Sequence, residues 1–165
     1  MQTADILAIA RETIAKVPLC FVVTVGLGGE PNARVVRPGP LRPDWTIGFM
    51  TELYCRKVKE IQAARYFTMA FQHDEEQAYV SLLGRPQLIE DVNIKRAIWS
   101  KEADRFHPGG PNDPNVIIVR LNTERIEIYN SARGIQPEPA GLSSVVLVRS
   151  GSDWLQSVSS TKSAA

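Results

Sequence analysis

The most constraining feature of this sequence is a series of short β-prone runs separated by proline- and glycine-rich turns. Four prolines and one glycine between Pro31 and Pro43 exclude a helix there, because proline fixes φ and lacks a backbone donor. Three glycines between Gly26 and Pro31 indicate a hairpin turn. Runs rich in β-branched and aromatic residues predict strands. The predicted strands are Leu19–Val25, Asn32–Arg37, Trp45–Thr51, Tyr66–Gln72, Ala78–Ile89, Val116–Asn122 and Arg125–Tyr129, the last two joined by a tight turn.

Helical periodicity is confined to three segments. Thr3 is a suitable N-cap for a helix from about Ala4 to Lys16, and Asp91 is one for a helix that ends at Trp99. A further helix follows the third strand, with Val58, Ile61 and Ala64 on its apolar face. Gly84, inside a long strand, indicates a β-bulge or a close backbone approach. Phe106–Asn115 holds three prolines and two glycines and predicts an irregular loop.

These elements predict a mostly β fold, an antiparallel barrel with flanking helices. Side chains fill a small barrel, so a ligand is expected on the outside or at a subunit seam. Residues 1–135 are predicted to form the barrel domain, and residues 136–165 a partly flexible extension. Within the extension, Pro137–Pro139 predicts a linker, Ser143–Arg149 a short strand and Ser157–Ala165 a mobile tail.

Composition narrows the function classes. A hydrophobic fraction of 44% with a net charge of +1 indicates a globular protein without nucleic acid or a membrane surface as partner. Met1–Val17 is charged and amphipathic, which predicts a cytoplasmic protein without a signal peptide. His73 and His107 are far apart and lack neighbouring ligand types, so no metal site is expected.

The start of the second predicted helix carries the clearest functional signal. Arg56 and Lys57 lie in its first turn, where the helix dipole is already positive and cations are unfavourable. The backbone N–H groups of that turn also lack intrahelical acceptors. The arrangement suits an anion, most simply a phosphate, although a solvated basic turn without a ligand explains it equally well.

Three runs in this order and spacing resemble the FMN-binding split-barrel superfamily. They are Pro31-Asn-Ala-Arg-Val-Val-Arg37, Gly48-Phe-Met-Thr51 and Cys55-Arg-Lys-Val-Lys-Glu-Ile61. Within the superfamily the chain is similar to the pyridoxamine 5'-phosphate oxidase-like proteins and to their general stress protein 26 group. Further pieces that resemble this group are Tyr79–Gly84, Ile98-Trp99 and Phe106–Pro114.

The resemblance implies an FMN-binding split barrel that forms a homodimer with the cofactor at the subunit seam. It implies that Arg34, Val35 and Val36 lie along the isoalloxazine and ribityl chain, and that Met50 and Thr51 follow on the next strand. Arg56 and Lys57 would hold the phosphate, because Arg grips it through two N–H groups while Lys acts as a point charge.

Four further candidates belong to the implied site. Cys55 stands where the family often has Ser or Thr, and a thiol is a weaker donor. Tyr79 stands where the oxidase proper has a glutamine. Arg37 lies on the opposite strand face from Arg34, where it reaches either the ligand or a carboxylate. Trp99 is either a stacking residue at the flavin edge or a core anchor.

The reaction is left open at this stage. A flavin-dependent oxidoreductase is the leading hypothesis, with no catalytic acid or base assigned, and the cofactor would carry the redox chemistry. The alternatives are a non-enzymatic flavin-binding stress protein, or a relative that binds deazaflavin or haem. Pyridoxamine phosphate oxidase activity is not expected, because no second clustered basic set is visible in the C-terminal half for a substrate phosphate.

Overall fold

The structure is a computed structural model that describes residues 1–136 and 143–157. Its eight strands form one antiparallel sheet that is flanked by four α-helices in the described ranges. The strands are β1 (Cys20–Val25), β2 (Pro31–Val36), β3 (Thr46–Glu52), β4 (Phe67–His73), β5 (Ala78–Ile89), β6 (Val116–Asn130), β7 (Val145–Ser150) and β8 (Asp153–Gln156). The helices are α1 (Thr3–Ala15), α2 (Arg56–Ala64), α3 (Val92–Ile98) and α4 (Lys101–Phe106).

The sheet follows an open path in the order β2-β1-β4-β5-β6-β7-β8, and β3 pairs with β6 outside that path. Strand β6 organises the fold, since it pairs with β5 along nearly its whole length. On its other edge, β6 pairs first with β3 and then with β7. The predicted antiparallel β fold with flanking helices is confirmed, and the open path makes it a split barrel, not a closed ring.

The core lies on one face of the sheet, because side chains alternate between the two faces. The innermost side chains come from neighbouring positions of β1, β4, β5, β6 and β7. They are Val22, Met69, Leu82, Ile126 and Leu147, each fully buried. Helix α1 adds Ile6, Ala10 and Ile14 to the same core.

The predicted division of β6 into two strands is wrong. The polar run Asn122-Thr-Glu-Arg125 predicted a turn, but the chain continues through it as one strand. The register shifts there, with Gly84 opposite Thr123 and Leu83 opposite Arg125, so Glu124 is the extra residue of a bulge. A Cβ on Gly84 would lie 1.9 Å from the Asn122 oxygen, so the predicted close backbone approach at this glycine is confirmed.

The first five predicted strands are confirmed to within one residue at each end. Helix α4 and strand β8 were not predicted, and Ala64 is exposed, not part of the apolar face of α2. Gln2 is the N-cap of α1, while Asp91 caps α3 as expected by accepting from two backbone N–H groups.

The predicted strand in the extension is confirmed as β7, which joins the sheet beside β6. Trp154 of β8 packs into the core, edge-on to Trp45. The domain boundary near residue 135 stays a prediction. The predicted linker Pro137–Pro139 and residues 158–165 of the predicted tail lie outside the described residues.

Candidate functional site

A groove of about 450 Å³ lies between β2, β3, the start of α2 and helix α4. It brings together six of the predicted site residues, which come from β2 and the residue after it, from β3 and from α2. These are Val35, Val36, Arg37, Met50, Thr51 and Lys57. Strands β2 and β3 do not pair with each other, so the fold brings these distant sequence positions to one surface.

The start of α2 places a cation against polar groups at one end of this groove. The Lys57 Nζ donates to Thr51 Oγ1 at 2.8 Å and lies 3.5 Å from Cys55 Sγ. No acidic residue lies in the first turn of α2, and Lys57 forms no ion pair within the described part of the chain. Its positive charge is therefore not neutralised by a carboxylate among the described residues, which suits an incoming anion.

The Cys55 thiol responds to this environment. Burial acts to raise its pKa, but the hydrogen bond to Thr51, the Val58 amide and the Lys57 ammonium outweigh that effect, so its pKa lies below the ordinary value. Cys55 is the N-cap of α2, and its Sγ lies 3.6 Å from Thr51 Oγ1. These surrounding groups therefore stabilise the thiolate form of Cys55.

Arg34 does not line the groove. Its guanidinium donates to Thr24 Oγ1 and forms an ion pair with Glu60 at 3.2 Å, with only 18% of the Arg34 side chain exposed. Glu60 is buried on α2 and also accepts hydrogen bonds from Thr24 and Asn32. The cluster joins β1, β2 and α2, so Arg34 helps to position the helix that carries Lys57.

The remaining predicted residues occupy different surroundings. Arg56 has 71% of its side chain exposed and lies 3.5 Å from Glu60. It does not line the groove, whereas Lys57 does. Tyr79 stacks on Tyr129 at another surface of the sheet. Trp99 follows α3 and donates through its indole N–H to Asp104 at 2.7 Å, and it does not line the groove.

Helix α4 forms the wall of the groove that sequence reasoning missed. Ser100, Glu102, Ala103 and Phe106 line the groove, and His107 follows them. Glu102 pairs with Arg37 at 2.9 Å and so joins this wall to the end of β2. A signal was present, because Ser100 followed by acidic residues is typical of a helix start, and its hydroxyl accepts from the Ala103 N–H.

Comparison with known proteins identifies the family. Residues 6–137 match the family described as pyridoxamine 5'-phosphate oxidase like. The chain belongs to this family. It is 26% identical to general stress protein 26 of Bacillus subtilis over 106 residues, which are 62% of this chain and 74% of that protein.

Solved structures support the fold. A Clostridium acetobutylicum protein related to general stress protein 26 superimposes with a TM-score of 0.69 at 20% identity, covering 79% of this chain and 92% of that one. A pyridoxamine 5'-phosphate oxidase-related, FMN-binding protein of Nostoc punctiforme gives 0.67 at 16% identity, covering 93% and 94%. The split-barrel fold expected from the sequence is therefore confirmed.

The described residues offer neither a metal-binding cluster nor a helix suited to cross a membrane. No group of three or more His, Cys, Asp or Glu side chains within them is arranged to hold a metal ion. None of the helices described combines the length and apolarity that a bilayer crossing needs.

Proposed function

We propose that this protein binds FMN in the groove and acts as a flavin-dependent oxidoreductase. The observation that carries the proposal is Lys57 beside Thr51 and Cys55, at a helix start without acidic residues and next to the apolar side chains of Val35, Val36 and Met50. The family relationship supports it, because one structural neighbour is described as FMN-binding.

The residues present fit this cofactor. Lys57 and the α2 backbone would hold the phosphate, with Thr51 as a hydroxyl partner, and the apolar side chains would bind the ring system. When bound, FMN supplies the electron-transfer chemistry. The chain's own contribution is to bind and orient the cofactor, and Arg34 acts only indirectly by positioning α2.

The test compares FMN with riboflavin in the wild type and in two lysine variants. We expect FMN to bind more tightly than riboflavin, and Lys57→Ala to weaken FMN binding about tenfold to a hundredfold, since charged hydrogen bonds are lost. Lys59→Ala is the matched control, because Lys59 is exposed on the same helix; it should change affinity less than about twofold. Equal affinity for FMN and riboflavin in the wild type would contradict the proposal.

We also propose that two copies assemble with the groove at their seam. Phe21 lies opposite both Val35 and Ala70 on the outer face of the sheet, where Phe21 is 47% and Val35 53% exposed. Val35 and the exposed Leu19 also line the groove, so this apolar face is continuous with the cofactor site. A second copy would cover both, and twofold assembly is the commonest arrangement.

Sedimentation of the FMN-loaded protein tests the assembly. We expect a dimer, and Phe21→Lys should weaken both dimerisation and FMN binding because it charges the shared face. Leu27→Lys is the control, since Leu27 is 94% exposed in the turn between β1 and β2. A monomer that still holds FMN would rule out the seam.

A second candidate is a haem protein on the same barrel, because His107 lines the groove and would be available as an axial ligand. The visible spectrum of the purified protein distinguishes flavin from haem. Anaerobic reduction by NADH and NADPH then separates an oxidoreductase from a protein that only binds flavin. Bleaching of the flavin supports the enzyme, whereas no bleaching favours the binding protein.

A further inference from the structure

A slot of about 380 Å³ continues the groove along the outer face of β3 and β6. Arg37, Met50 and Ser100 line both cavities, so the two are contiguous. Met50 lies opposite Ile118 across the strand pair, and Gly48 lies opposite Arg120. Gly48 adds no side chain, and a Cβ there would lie 3.1 Å from the Val119 oxygen and 3.2 Å from Ile118 Cγ2, so the floor of the slot is apolar and closely packed at this point.

Three arginines line this slot, and no acidic residue is among the described residues that line it. Arg37 is paired with Glu102. Arg42 and Arg120 form no ion pair within 4.0 Å in the described part of the chain. The nearby Asp44 carboxylate accepts from the Thr46 hydroxyl and amide, which are the main cause of its lowered pKa, and the Arg42 charge adds to that lowering.

The sequence shows no second basic cluster in its C-terminal half, and the set in this slot is assembled from both halves of the chain. Arg37 follows β2, Arg42 precedes β3 and Arg120 lies on β6, so only the fold brings them to one surface. Arg42 and Arg120, which have no carboxylate within ion-pair distance among the described residues, are suited to bind planar oxyanions, because guanidinium N–H groups match both oxygens of a carboxylate.

We propose that this slot binds a planar aromatic or conjugated carboxylate beside the flavin. The apolar floor accepts the ring, and Arg42 and Arg120 receive the carboxylate. The inference rests on the proposed flavin-binding function and names the substrate class of that site. It assigns roles to two residues that lie outside the cofactor groove itself.

The experiment titrates FMN-loaded protein with 2-naphthoate, with its uncharged analogue 2-naphthamide and with acetate, by calorimetry and by the change in the flavin spectrum. We expect 2-naphthoate to bind about tenfold or more tightly than either comparison compound. Arg42→Gln and Arg120→Gln should each weaken naphthoate binding about tenfold, and leave naphthamide and FMN binding within about twofold. Arg85→Gln is the matched control, because Arg85 is ion-paired with Glu124 and does not line the slot.

The outcomes separate this inference from the cofactor proposal. If FMN binds but naphthoate and naphthamide bind alike, or if the arginine variants behave like Arg85→Gln, the slot does not recognise carboxylates. If the protein does not bind FMN, the proposed function fails. The same calorimetry on cofactor-free protein, where the spectrum is silent, then still decides whether the slot prefers the carboxylate.

Discussion

Arg34 and Lys57 are two cations on neighbouring elements, and they differ in whether a carboxylate lies beside them. Arg34 has the buried carboxylate of Glu60 at 3.2 Å, together with Thr24 as a hydroxyl partner. Lys57 has a hydroxyl and a thiol beside it and no carboxylate in the described chain. The first cluster is neutralised internally, while the second leaves a positive charge available. A cation with an internal partner is part of the scaffold, and one without is the better candidate for binding an anionic ligand.

The polar partners of Glu60 reinforce this division. The pKa of its carboxyl lies below the ordinary value, chiefly through the Thr24 hydrogen bond, with burial acting against it and Arg34 and Arg56 adding to the lowering. The folded state therefore favours the ionised carboxylate. Its contribution to stability is present above the ordinary carboxyl pKa and is lost as the pH falls through the lowered pKa of the folded state.

The largest effect that we predict follows from breaking the neutralised cluster. Arg34→Met should reduce the free energy of unfolding by about 2 kcal/mol, because it removes the closer and better buried of the two arginines beside the Glu60 carboxylate and leaves only the exposed Arg56. Urea unfolding at neutral pH measures this change. Lys57→Ala is the matched comparison and should alter the free energy of unfolding by less than about 0.5 kcal/mol, since it removes a cation from a helix start.

The stability effect of the Arg34→Met substitution should depend on pH. The stability difference between wild type and Arg34→Met should shrink as the pH falls into the acid range, because protonation of Glu60 removes the Arg34 ion pair from the wild type and the less well compensated carboxylate charge from the variant. An equal loss of stability in Arg34→Met and Lys57→Ala at neutral pH would contradict the claim that Arg34 stabilises the fold and Lys57 does not.

The sequence contained enough information for the β fold and for much of the groove. Strand positions followed from β-branched residues between proline and glycine turns, and the helix-start signal led to Lys57. The orientation of the Arg34 side chain could not be predicted from the sequence, because its partner Glu60 lies 26 positions away on another element. The slot was missed for the same reason, since its arginines come from three segments that only the sheet brings together.

Local patterns misled at two points. The polar run around Thr123 has the composition of a turn, yet Thr123 is fully buried within β6, because the bulge opposite Gly84 accommodates the extra residue. Helix α4 is only six residues long, too short for helical periodicity to show in its apolar pattern. Both features depend on pairing and capping contacts that become visible only in the folded chain.

The smallest effect that we predict is a shift in the pH midpoint at which the Cys55 thiol reacts. This midpoint depends on the charge of Lys57, and Cys20 provides an internal comparison. Native protein is treated with iodoacetamide across a range of pH, and mass spectrometry assigns each modification. Cys55 should react with a midpoint below that of an ordinary thiol, since Thr51, the Val58 amide and Lys57 favour its thiolate. Cys20 should stay unmodified, because burial raises its pKa to about 12.

Lys57→Ala should move the Cys55 midpoint upward, because it removes both the charge and the Nζ contact at 3.5 Å. Arg34→Met should leave the midpoint where it is, since the Arg34 charge is already balanced by Glu60. The two variants thus have opposite profiles, with Arg34 affecting stability and Lys57 affecting thiol titration. A midpoint that does not respond to Lys57→Ala would mean that the ammonium is screened at the helix start, and the electrostatic basis for placing a phosphate there would be lost.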